Sequence, residues 1–269
     1  MIDIQTIDWN EVWKEKKATR SSPVRDSTIW NKRAPSFAEN SAKTVYAEAF
    51  VKIVNPKQSW TVFDMGCGAG TLATPFAKLC KAVTAADFSD TMLDILRKQC
   101  DKLKISNVKT IKASWEDDWS GAGIELHDVA IASRSLVVDD LRSAIMKVNG
   151  IARKRVYIST IVDDGPYDRQ VFDAIGRELN MGPDYIYNYN LLYQMGIRAN
   201  IDFITEKNRI YKNCYQLVES MQWMLGDMTL EEEEKFNDHL DKHLVCKAGW
   251  WMLDYEKETR WAVIWWDKN

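Results

Sequence analysis

The stretch Trp60-Thr61-Val62-Phe63-Asp64-Met65-Gly66-Cys67-Gly68-Ala69-Gly70 decides the fold. It is an apolar run that ends in an acid and continues into three glycines at alternate positions, which predicts a buried parallel strand and a glycine turn. The next segment carries Leu72, Phe76 and Leu79 at helical spacing. Because strand, glycine turn and helix follow in this order, we expect the crevice in which α/β proteins bind nucleotides. The glycines are expected to let backbone approach a ligand closely.

The remaining chain continues this alternation of strands and helices. Strands are predicted at 82–87, 108–113, 128–132, 155–161 and 199–206. Helices are predicted at 8–17, 27–37, 42–54, 90–103, 136–148, 167–179, 186–196, 215–225 and 229–244, with a break at 21–23. Two further segments, Trp250–Tyr255 and Trp261–Trp266, flank a polar turn and are expected to pair as a hairpin. The pattern predicts an α/β protein with a Rossmann-like, doubly wound, mostly parallel sheet.

Composition limits the classes of protein that the chain could belong to. A length of 269 residues with 46% hydrophobic content allows one large α/β domain or two small ones. The formal charge of -3 gives no basic face for a nucleic-acid backbone. Five scattered cysteines without CxxC spacing argue against a disulfide framework or a zinc knuckle. With no signal peptide and no membrane-spanning apolar run, we expect a soluble, cytoplasmic protein that does not contact membranes.

The glycine stretch and its neighbours resemble a known family. Asp64-Met65-Gly66-Cys67-Gly68-Ala69-Gly70, Asp87 at the end of the next strand, and Ser89-Asp90-Thr91-Met92-Leu93 resemble the class I S-adenosylmethionine-dependent methyltransferases over roughly residues 30–160. The resemblance implies S-adenosylmethionine as cofactor and an antiparallel place in the sheet for the last strand, Trp261–Trp266. The chain has Thr71 where the dinucleotide fingerprint G-x-G-x-x-G needs a glycine, which favours S-adenosylmethionine over NAD.

The resemblance also implies which loops hold the cofactor. The backbone of Gly66–Gly70 is expected to lie along the methionine part of S-adenosylmethionine. Asp64 is expected to orient the ammonium group of that methionine, directly or through water. The ribose hydroxyls are assigned to Asp87. The implied cofactor-binding residues lie at the ends of the first four predicted strands and in the loops that follow them. They are Asp64, Gly66, Cys67, Gly68, Gly70, Asp87, Phe88, Ser114, Trp115, Glu116, Ser133 and Arg134. Cys67 is expected to serve only as a small loop residue.

Two of these positions leave alternatives open. Ser114 stands where the family commonly has an aspartate, so the adenine contact is expected from the Trp115 backbone or from the carboxylate of Glu116 or Asp117. Asp117 and Asp118 fit a solvated turn equally well. Arg134 could bind a carboxylate of the methionine part or of an acidic substrate. It could instead form a surface ion pair with Asp139 or Asp140.

The acceptor side of the site is less specific. Methyl transfer from an activated sulfonium can depend on positioning and desolvation, so no catalytic residue is assigned. The side chains that could take an acceptor proton are His127, Tyr157, Tyr185, Tyr187, Tyr189 and Tyr193. His127 is more simply interpreted as structural. The residues assigned to an acceptor pocket, for a flat or cationic molecule, are Trp30, Arg33, Tyr185 and Tyr189.

Metal binding is not expected. His239 and His243 lie four residues apart on a predicted helix, a spacing that can hold a metal. The polar residues around them predict an exposed face, however, and HExxH is missing. The aromatic C-terminal hairpin is expected to be core or a homodimer surface.

These observations lead to one expected function and two alternatives. We expect a single methyltransferase domain over 1–269 that methylates a small-molecule acceptor. Within it, 1–50 would form a helical lid, 51–162 the cofactor-binding core, and 163–269 the substrate-side helices and C-terminal strands. The alternatives are a non-catalytic S-adenosylmethionine-binding sensor or assembly module, and a protein or RNA methyltransferase, which the acidic composition disfavours.

Overall fold

A computed structural model describes Ile4 and residues 6–20, 27–41, 45–207 and 210–268; the side chains of 27 and 36–41 are outside that description. The helices of the described residues are α1 (Trp9–Ala18), α2 (Ser27–Ser41), α3 (Val45–Val54), α4 (Ala73–Ala77), α5 (Asp90–Leu103), α6 (Leu141–Ile151), α7 (Arg169–Ile175), α8 (Tyr185–Gln194), α9 (Cys214–Leu225) and α10 (Leu230–His243). The strands are β1 (Thr61–Met65), β2 (Ala82–Asp87), β3 (Val108–Lys112), β4 (His127–Ser133), β5 (Ala152–Val162), β6 (Asn200–Lys207), β7 (Leu244–Lys247), β8 (Trp250–Leu253) and β9 (Glu258–Asp267). The break predicted at 21–23 and the start of the third predicted helix, 42–44, lie outside the described residues.

Seven strands form one sheet in the order β3-β2-β1-β4-β5-β9-β6. The five strands from β1 to β5 pair in parallel, and β9 pairs antiparallel with both β5 and β6. This confirms the predicted mostly parallel, doubly wound sheet with an antiparallel C-terminal strand. The carboxyl ends of β1, β2, β4 and β5 therefore share one edge of the sheet, where such folds bind ligands.

Strand β1 is central because both of its faces are apolar. Val62 and Phe63 are both fully buried, and they belong to different hydrophobic clusters. Successive side chains of a strand point to opposite faces, so these clusters are the cores on the two sides of the sheet. The acid that ends the strand, Asp64, is thereby carried to the carboxyl edge with only 2% exposure.

The predicted C-terminal hairpin is wrong. β8 pairs with β7 in a separate two-stranded sheet, whereas β9 lies in the main sheet between β5 and β6. The physical reason is burial: Ala262, Val263 and Ile264 are all at 0% exposure. An isolated two-stranded hairpin leaves the faces of its strands exposed to solvent. Inside the main sheet, β9 pairs with a strand on each side, and its two faces are buried.

The helix predicted directly after the glycine turn is shorter than expected. It spans only Ala73–Ala77, with Leu72 and Phe76 buried. Leu79, which the helical spacing placed inward, is 44% exposed. Pro75 lies in the first turn of this helix, where proline is tolerated, so it does not account for the early end of the helix.

Helix α2 lies over the glycine turn. Ala34 of α2 is fully buried in a small cluster with Ala69 and Met92. The Ser89 hydroxyl donates to Asn31 Oδ1 at 2.6 Å, which ties α2 to the first turn of α5. Because Ala69 belongs to the glycine turn, α2 forms a cover directly above it.

Helix α9 completes this cover from the other side. The Trp223 ring of α9 lies 5.5 Å from the Trp30 ring, and the Arg33 guanidinium carbon lies 4.1 Å from the Trp223 ring centroid. Helices α2 and α9 therefore contact each other, and α2 packs against the glycine turn. In the part of the chain that the structure describes, no helix is both long enough and apolar enough to cross a bilayer.

Candidate functional site

The glycine turn is required by the protein's own packing. Gly66 has φ +71°, and a Cβ built there would lie 2.3 Å from Ser135 Cβ. Gly70 has φ +91°, and its Cβ would lie 2.4 Å from Leu96 Cδ1. Both glycines are thus needed for left-handed backbone and for contact with neighbouring side chains. The sequence analysis explained the glycines by the close approach of a ligand. At Gly66 and Gly70, the close approach of protein side chains is already a sufficient reason.

Asp87 closes the turn onto the second strand. Its Oδ2 accepts a hydrogen bond from the Gly68 N–H at 2.8 Å, and its Oδ1 accepts one from the Ser89 N–H at 2.9 Å. Burial raises the pKa of Asp87, and these backbone bonds oppose that shift. A carboxylate has about four lone-pair positions, so it can accept further bonds from a ligand in the crevice.

Asp64 is the least satisfied group of the site. Its Oδ2 is buried and has no hydrogen-bond partner among the described residues. Burial and then repulsion from Asp87 raise the pKa of Asp64 to about 7, while attraction to Arg134 lowers it. Buried polar atoms are usually paired, so an unpaired carboxyl oxygen at the carboxyl edge of the sheet fits a position that accepts a hydrogen bond from a polar ligand.

Arg134 occupies a strained position at the end of β4. Its φ is +57°, which is unusual for a residue with a long side chain. Its guanidinium carbon lies 4.1 Å from the Tyr46 ring centroid and 5.2 Å from that of Trp261. Strain of this kind is retained where the surroundings hold it, often at functional sites.

Among the described contacts, the two acids that could form a surface ion pair with Arg134 have other partners. Asp139 pairs with Lys17 at 2.5 Å, and Asp140 caps α6 by accepting from the Ser143 N–H at 2.9 Å. Arg134 instead contributes to the electrostatics of Asp64 inside the crevice.

A buried hydroxyl network beneath Arg134 was not found by sequence reasoning. The Tyr46 hydroxyl lies 2.6 Å from Ser133 Oγ and 2.5 Å from Ser159 Oγ. Tyr46 is fully buried, whereas Ser133 is half-buried at the carboxyl end of β4. Tyr46 comes from α3, far from either serine in sequence, and its place on an apolar helix face marked it only as core.

The loop after β3 holds itself in shape. The Ser114 N–H donates to Asp117 Oδ2 at 2.8 Å, and the Trp119 indole donates to the Ser114 carbonyl at 2.8 Å. Lys147 donates to the carbonyls of Trp115 and Asp117 at 2.5 and 2.9 Å. Asp117 therefore stabilises a turn, which favours that interpretation over an adenine contact from its side chain.

Three other residues of the predicted cofactor set also have defined places. The Trp115 indole donates to the Ser135 carbonyl at 3.0 Å, which brings this loop beside the glycine turn. Phe88 is half-buried and follows Asp87 directly, while Glu116 is exposed. Hydrogen bonds and packing thus link the glycine turn to Asp87 and, through Ser135, to Trp115, while Asp64 interacts electrostatically with Asp87 and Arg134.

Other predicted residues have structural contacts elsewhere. The tyrosines of α8 pack within the fold: Tyr185 against Phe203, Tyr187 against Trp9, and the Tyr189 hydroxyl donates to the Ala199 carbonyl. Tyr193 is 40% exposed. The structure joins none of these four side chains to the glycine turn by a contact between described residues. Trp30 and Arg33, by contrast, belong to the cover above it.

The two remaining candidate proton acceptors are core residues. Tyr157 is fully buried and stacks on Trp265 with ring centroids 5.9 Å apart. The His127 ring nitrogens lie 2.7 Å from the Glu125 carbonyl and 2.8 Å from Thr84 Oγ1. Burial lowers the pKa of His127. These contacts agree with the structural interpretation of His127.

The predicted exposed face for His239 and His243 is wrong for His239. That side chain is 7% exposed, and its Nε2 lies 3.2 Å from the Tyr255 hydroxyl. His243 Nδ1 lies 2.9 Å from Asp254 Oδ1. Among the described residues, no group of three or more His, Cys, Asp or Glu side chains could hold a metal ion.

Comparisons with known proteins agree with this architecture. Residues 62–154 match a family model described as a methyltransferase domain. An uncharacterized protein of Haemophilus influenzae is 35% identical over 242 residues, covering 88% of each chain. The ubiquinone biosynthesis O-methyltransferase of Mesorhizobium japonicum is 26% identical over 123 residues, or 46% of this chain and 44% of that one. The crystal structure of a putative methyltransferase from Bacillus halodurans shares the fold, with a TM-score of 0.57 at 13% identity, covering 82% of this chain and 98% of that one.

The fold, the glycine turn with its two acids, and these comparisons define one class. The chain belongs to the class I S-adenosylmethionine-dependent methyltransferases. Its cofactor is S-adenosylmethionine.

Proposed function

We propose that this methyltransferase acts on a small-molecule acceptor and holds its cofactor in the crevice between the ends of β1, β2 and β4. The orphaned Asp64 Oδ2 carries the proposal. It belongs to a buried carboxyl whose pKa burial and Asp87 raise and attraction to the Arg134 guanidinium lowers, so the crevice offers an acid for an ammonium and a positive group for a carboxylate. The methionine part of S-adenosylmethionine is a zwitterion with the complementary charges, and the residues present therefore fit it.

Each remaining part of the crevice suits one part of the cofactor. The ribose hydroxyls would donate to Asp87, whose carboxylate has capacity beyond its two backbone bonds. The adenine would lie beside the 114–116 loop, which Lys147 and Asp117 hold rigid. Ammonium and carboxylate would be held by Asp64 and Arg134. When bound, the cofactor supplies a methyl group that its sulfonium already activates.

The chain's own contribution is then positioning and exclusion of water. Helix α2 covers the glycine turn through Ala34 and is tied to α5 by Asn31. The Tyr46 hydroxyl fixes Ser133 at the crevice floor. Burial raises the pKa of Tyr46, so the phenol stays protonated at neutral pH. Such a site accelerates methyl transfer by orienting the reactants in a dry crevice.

A covered crevice supports a small acceptor over a macromolecule. Helices α2 and α9 meet through Trp30, Arg33 and Trp223 above the sheet edge. A polymer would have to displace that contact, whereas a small molecule can be enclosed by it. The curated relative that acts in ubiquinone biosynthesis is also consistent with a small acceptor.

The acceptor class can be tested without knowing the acceptor. The protein would be incubated with methyl-labelled S-adenosylmethionine and either the low-mass or the macromolecular fraction of a cell extract. We expect label in the low-mass fraction, and none from a Gly66→Ala variant, whose glycine turn is disrupted. Label that appears only in protein or RNA would overturn the small-molecule assignment.

A further inference from the structure

Two buried aromatic rings contact the guanidinium of Arg134. The guanidinium carbon lies 4.1 Å from the Tyr46 ring centroid and 5.2 Å from that of Trp261. These two rings pack edge-on against each other, with centroids 5.9 Å apart. Tyr46 is 0% exposed and Trp261 is 6% exposed. Because cation–π contacts are stronger when they are shielded from water, Tyr46 is well placed to hold the guanidinium.

The Tyr46 hydroxyl contacts the two residues that fix the Arg134 backbone. Its oxygen lies 2.6 Å from Ser133 Oγ and 2.5 Å from Ser159 Oγ. Ser133 directly precedes Arg134, and the Ser159 carbonyl accepts a hydrogen bond from the Arg134 N–H at 2.9 Å. Arg134 has a left-handed φ of +57°, which surrounding contacts must hold in place. Tyr46 therefore supports Arg134 both at its backbone and at its guanidinium.

This support suits an arginine that binds a carboxylate. A guanidinium carries its five N–H donors along its edge, and an aromatic ring contacts its flat face. The contact with Tyr46 therefore orients the guanidinium without using the donors that bind a carboxylate. Fixing a long side chain before the ligand arrives also reduces the entropy that binding costs. Tyr46 interacts electrostatically with both Arg134 and Asp64, so its ring lies near both charged groups of the crevice.

We infer that Tyr46 is a positioning residue for cofactor binding, which fixes Arg134 in the orientation that binds the carboxylate of the methionine part. The inference rests on the proposed function, because it requires Arg134 to bind that carboxylate. It gives α3, a helix outside the glycine turn and its neighbouring loops, a role in recognising the cofactor. A tyrosine that served only as core would not distinguish a ligand with a carboxylate from one without it.

Two ligands separate positioning of Arg134 from a general effect on the crevice. S-adenosylhomocysteine has the carboxylate, whereas 5′-methylthioadenosine keeps the nucleoside and lacks the amino-acid group. In calorimetric titrations, Tyr46→Leu should weaken S-adenosylhomocysteine about fivefold and leave 5′-methylthioadenosine within twofold. Tyr46→Phe keeps the ring and should bind S-adenosylhomocysteine with an affinity between those of the wild type and Tyr46→Leu.

A matched control tests whether any cation–π pair gives this result. The Arg198 guanidinium carbon lies 4.2 Å from the Tyr193 ring centroid, and both side chains are exposed. Tyr193→Leu removes the ring of that pair in the same way. It should change the affinity for neither ligand.

Two further measurements keep the outcome interpretable if Tyr46→Leu fails to fold. Pentafluorophenylalanine in place of Tyr46 has nearly the shape of phenylalanine, but its ring face no longer attracts a cation. This protein should bind S-adenosylhomocysteine about threefold more weakly than Tyr46→Phe, with 5′-methylthioadenosine within twofold. Tyr46→Phe combined with Arg134→Met should bind S-adenosylhomocysteine as weakly as Arg134→Met alone, because a residue that acts through Arg134 has no further effect once the guanidinium is removed.

The possible outcomes distinguish the inference from the proposed function. Equal weakening of both ligands in the Tyr46 variants, equal S-adenosylhomocysteine affinity of the phenylalanine and pentafluorophenylalanine proteins, or additive losses in the double variant would overturn the inference alone. If Arg134→Met kept full affinity for S-adenosylhomocysteine, or the wild-type protein did not bind it, the proposed function would be overturned and the inference with it.

Discussion

Replacing Asp64 with asparagine is expected to stabilise the ligand-free protein at pH 8. The carboxyl has a pKa of about 7 in the folded chain, against an ordinary value of 3.8. Between these values the folded state binds more protons than the unfolded state, so stability falls as the pH rises through that window. At pH 8 the buried charge costs on the order of 4 kcal/mol, and a neutral amide of the same shape removes most of that cost.

The same substitution should weaken cofactor binding. A hydrogen bond to a charged group is worth about 1.5–3 kcal/mol, so the affinity for S-adenosylhomocysteine should fall at least tenfold. Stability and function therefore change in opposite directions, as expected for a residue retained for binding rather than for folding.

Urea unfolding of the ligand-free protein at pH 5 and pH 8 measures the stability effect. Wild-type stability should fall between these pH values, and the fall should be largely absent in Asp64→Asn. Asp128→Asn is the matched control at the opposite end of the sheet. Bonds from Lys154 and Thr61 lower the pKa of Asp128, so its replacement should destabilise the protein at pH 8. A less stable Asp64→Asn at pH 8 would show that the carboxylate is satisfied and that the account of the site is wrong.

Replacing Gly66 with alanine is expected to disrupt both the fold and the site. Alanine in left-handed backbone costs roughly 1–2 kcal/mol, and overpacking typically adds about 1–3 kcal/mol. The new Cβ would lie 2.3 Å from Ser135 Cβ, which leaves no room without moving backbone. The Ser135 hydroxyl, which donates to the Met65 carbonyl at 2.7 Å, would be displaced with it. Loss of S-adenosylhomocysteine binding should accompany the lower stability.

Gly150→Ala provides the control for this substitution. Gly150 lies in α6, and a Cβ there has no atom within 4 Å. Alanine is the better helix former by about 1 kcal/mol, so this variant should be slightly more stable and bind the cofactor normally. Thermal unfolding and calorimetry of the two variants together give the comparison. If Gly66→Ala retained wild-type stability and affinity, the glycine turn would not have the packing described here.

Local sequence patterns correctly predicted those strands and helices whose ends are determined by neighbouring residues. The strand 82–87 and the helix 90–103 have the predicted bounds because the apolar run and the Ser89 N-cap mark them directly. The pairing of β9 depends on a contact between distant segments, so nearby turn residues wrongly indicated a hairpin. Leu79 was misplaced because the helical spacing was extended past Ala77, where the helix ends.

The residues of the candidate site also fall into two groups, those that local sequence predicts and those that only tertiary packing brings in. Asp64, the glycine turn and Asp87 were readable because one strand-turn-helix unit and its neighbour contain them. Tyr46 and Trp261 reach Arg134 only through tertiary packing, and nothing in their local sequence distinguishes them from core residues. The tyrosines of α8 show the converse, since a cluster of aromatics in sequence became structural contacts within the fold.

We propose that Asp64 and Arg134 together recognise the methionine part of the cofactor. Calorimetric titration of wild-type protein, Arg134→Met and the control Arg142→Met tests it, with S-adenosylhomocysteine and with 5′-methylthioadenosine, which lacks the amino-acid group. Arg142 lies in α6 and donates to Gln194, outside the crevice. We predict that Arg134→Met weakens S-adenosylhomocysteine about tenfold, or roughly 1.4 kcal/mol, and leaves 5′-methylthioadenosine unchanged, while Arg142→Met changes neither. Equal loss for both ligands, or no loss for either, would contradict the account.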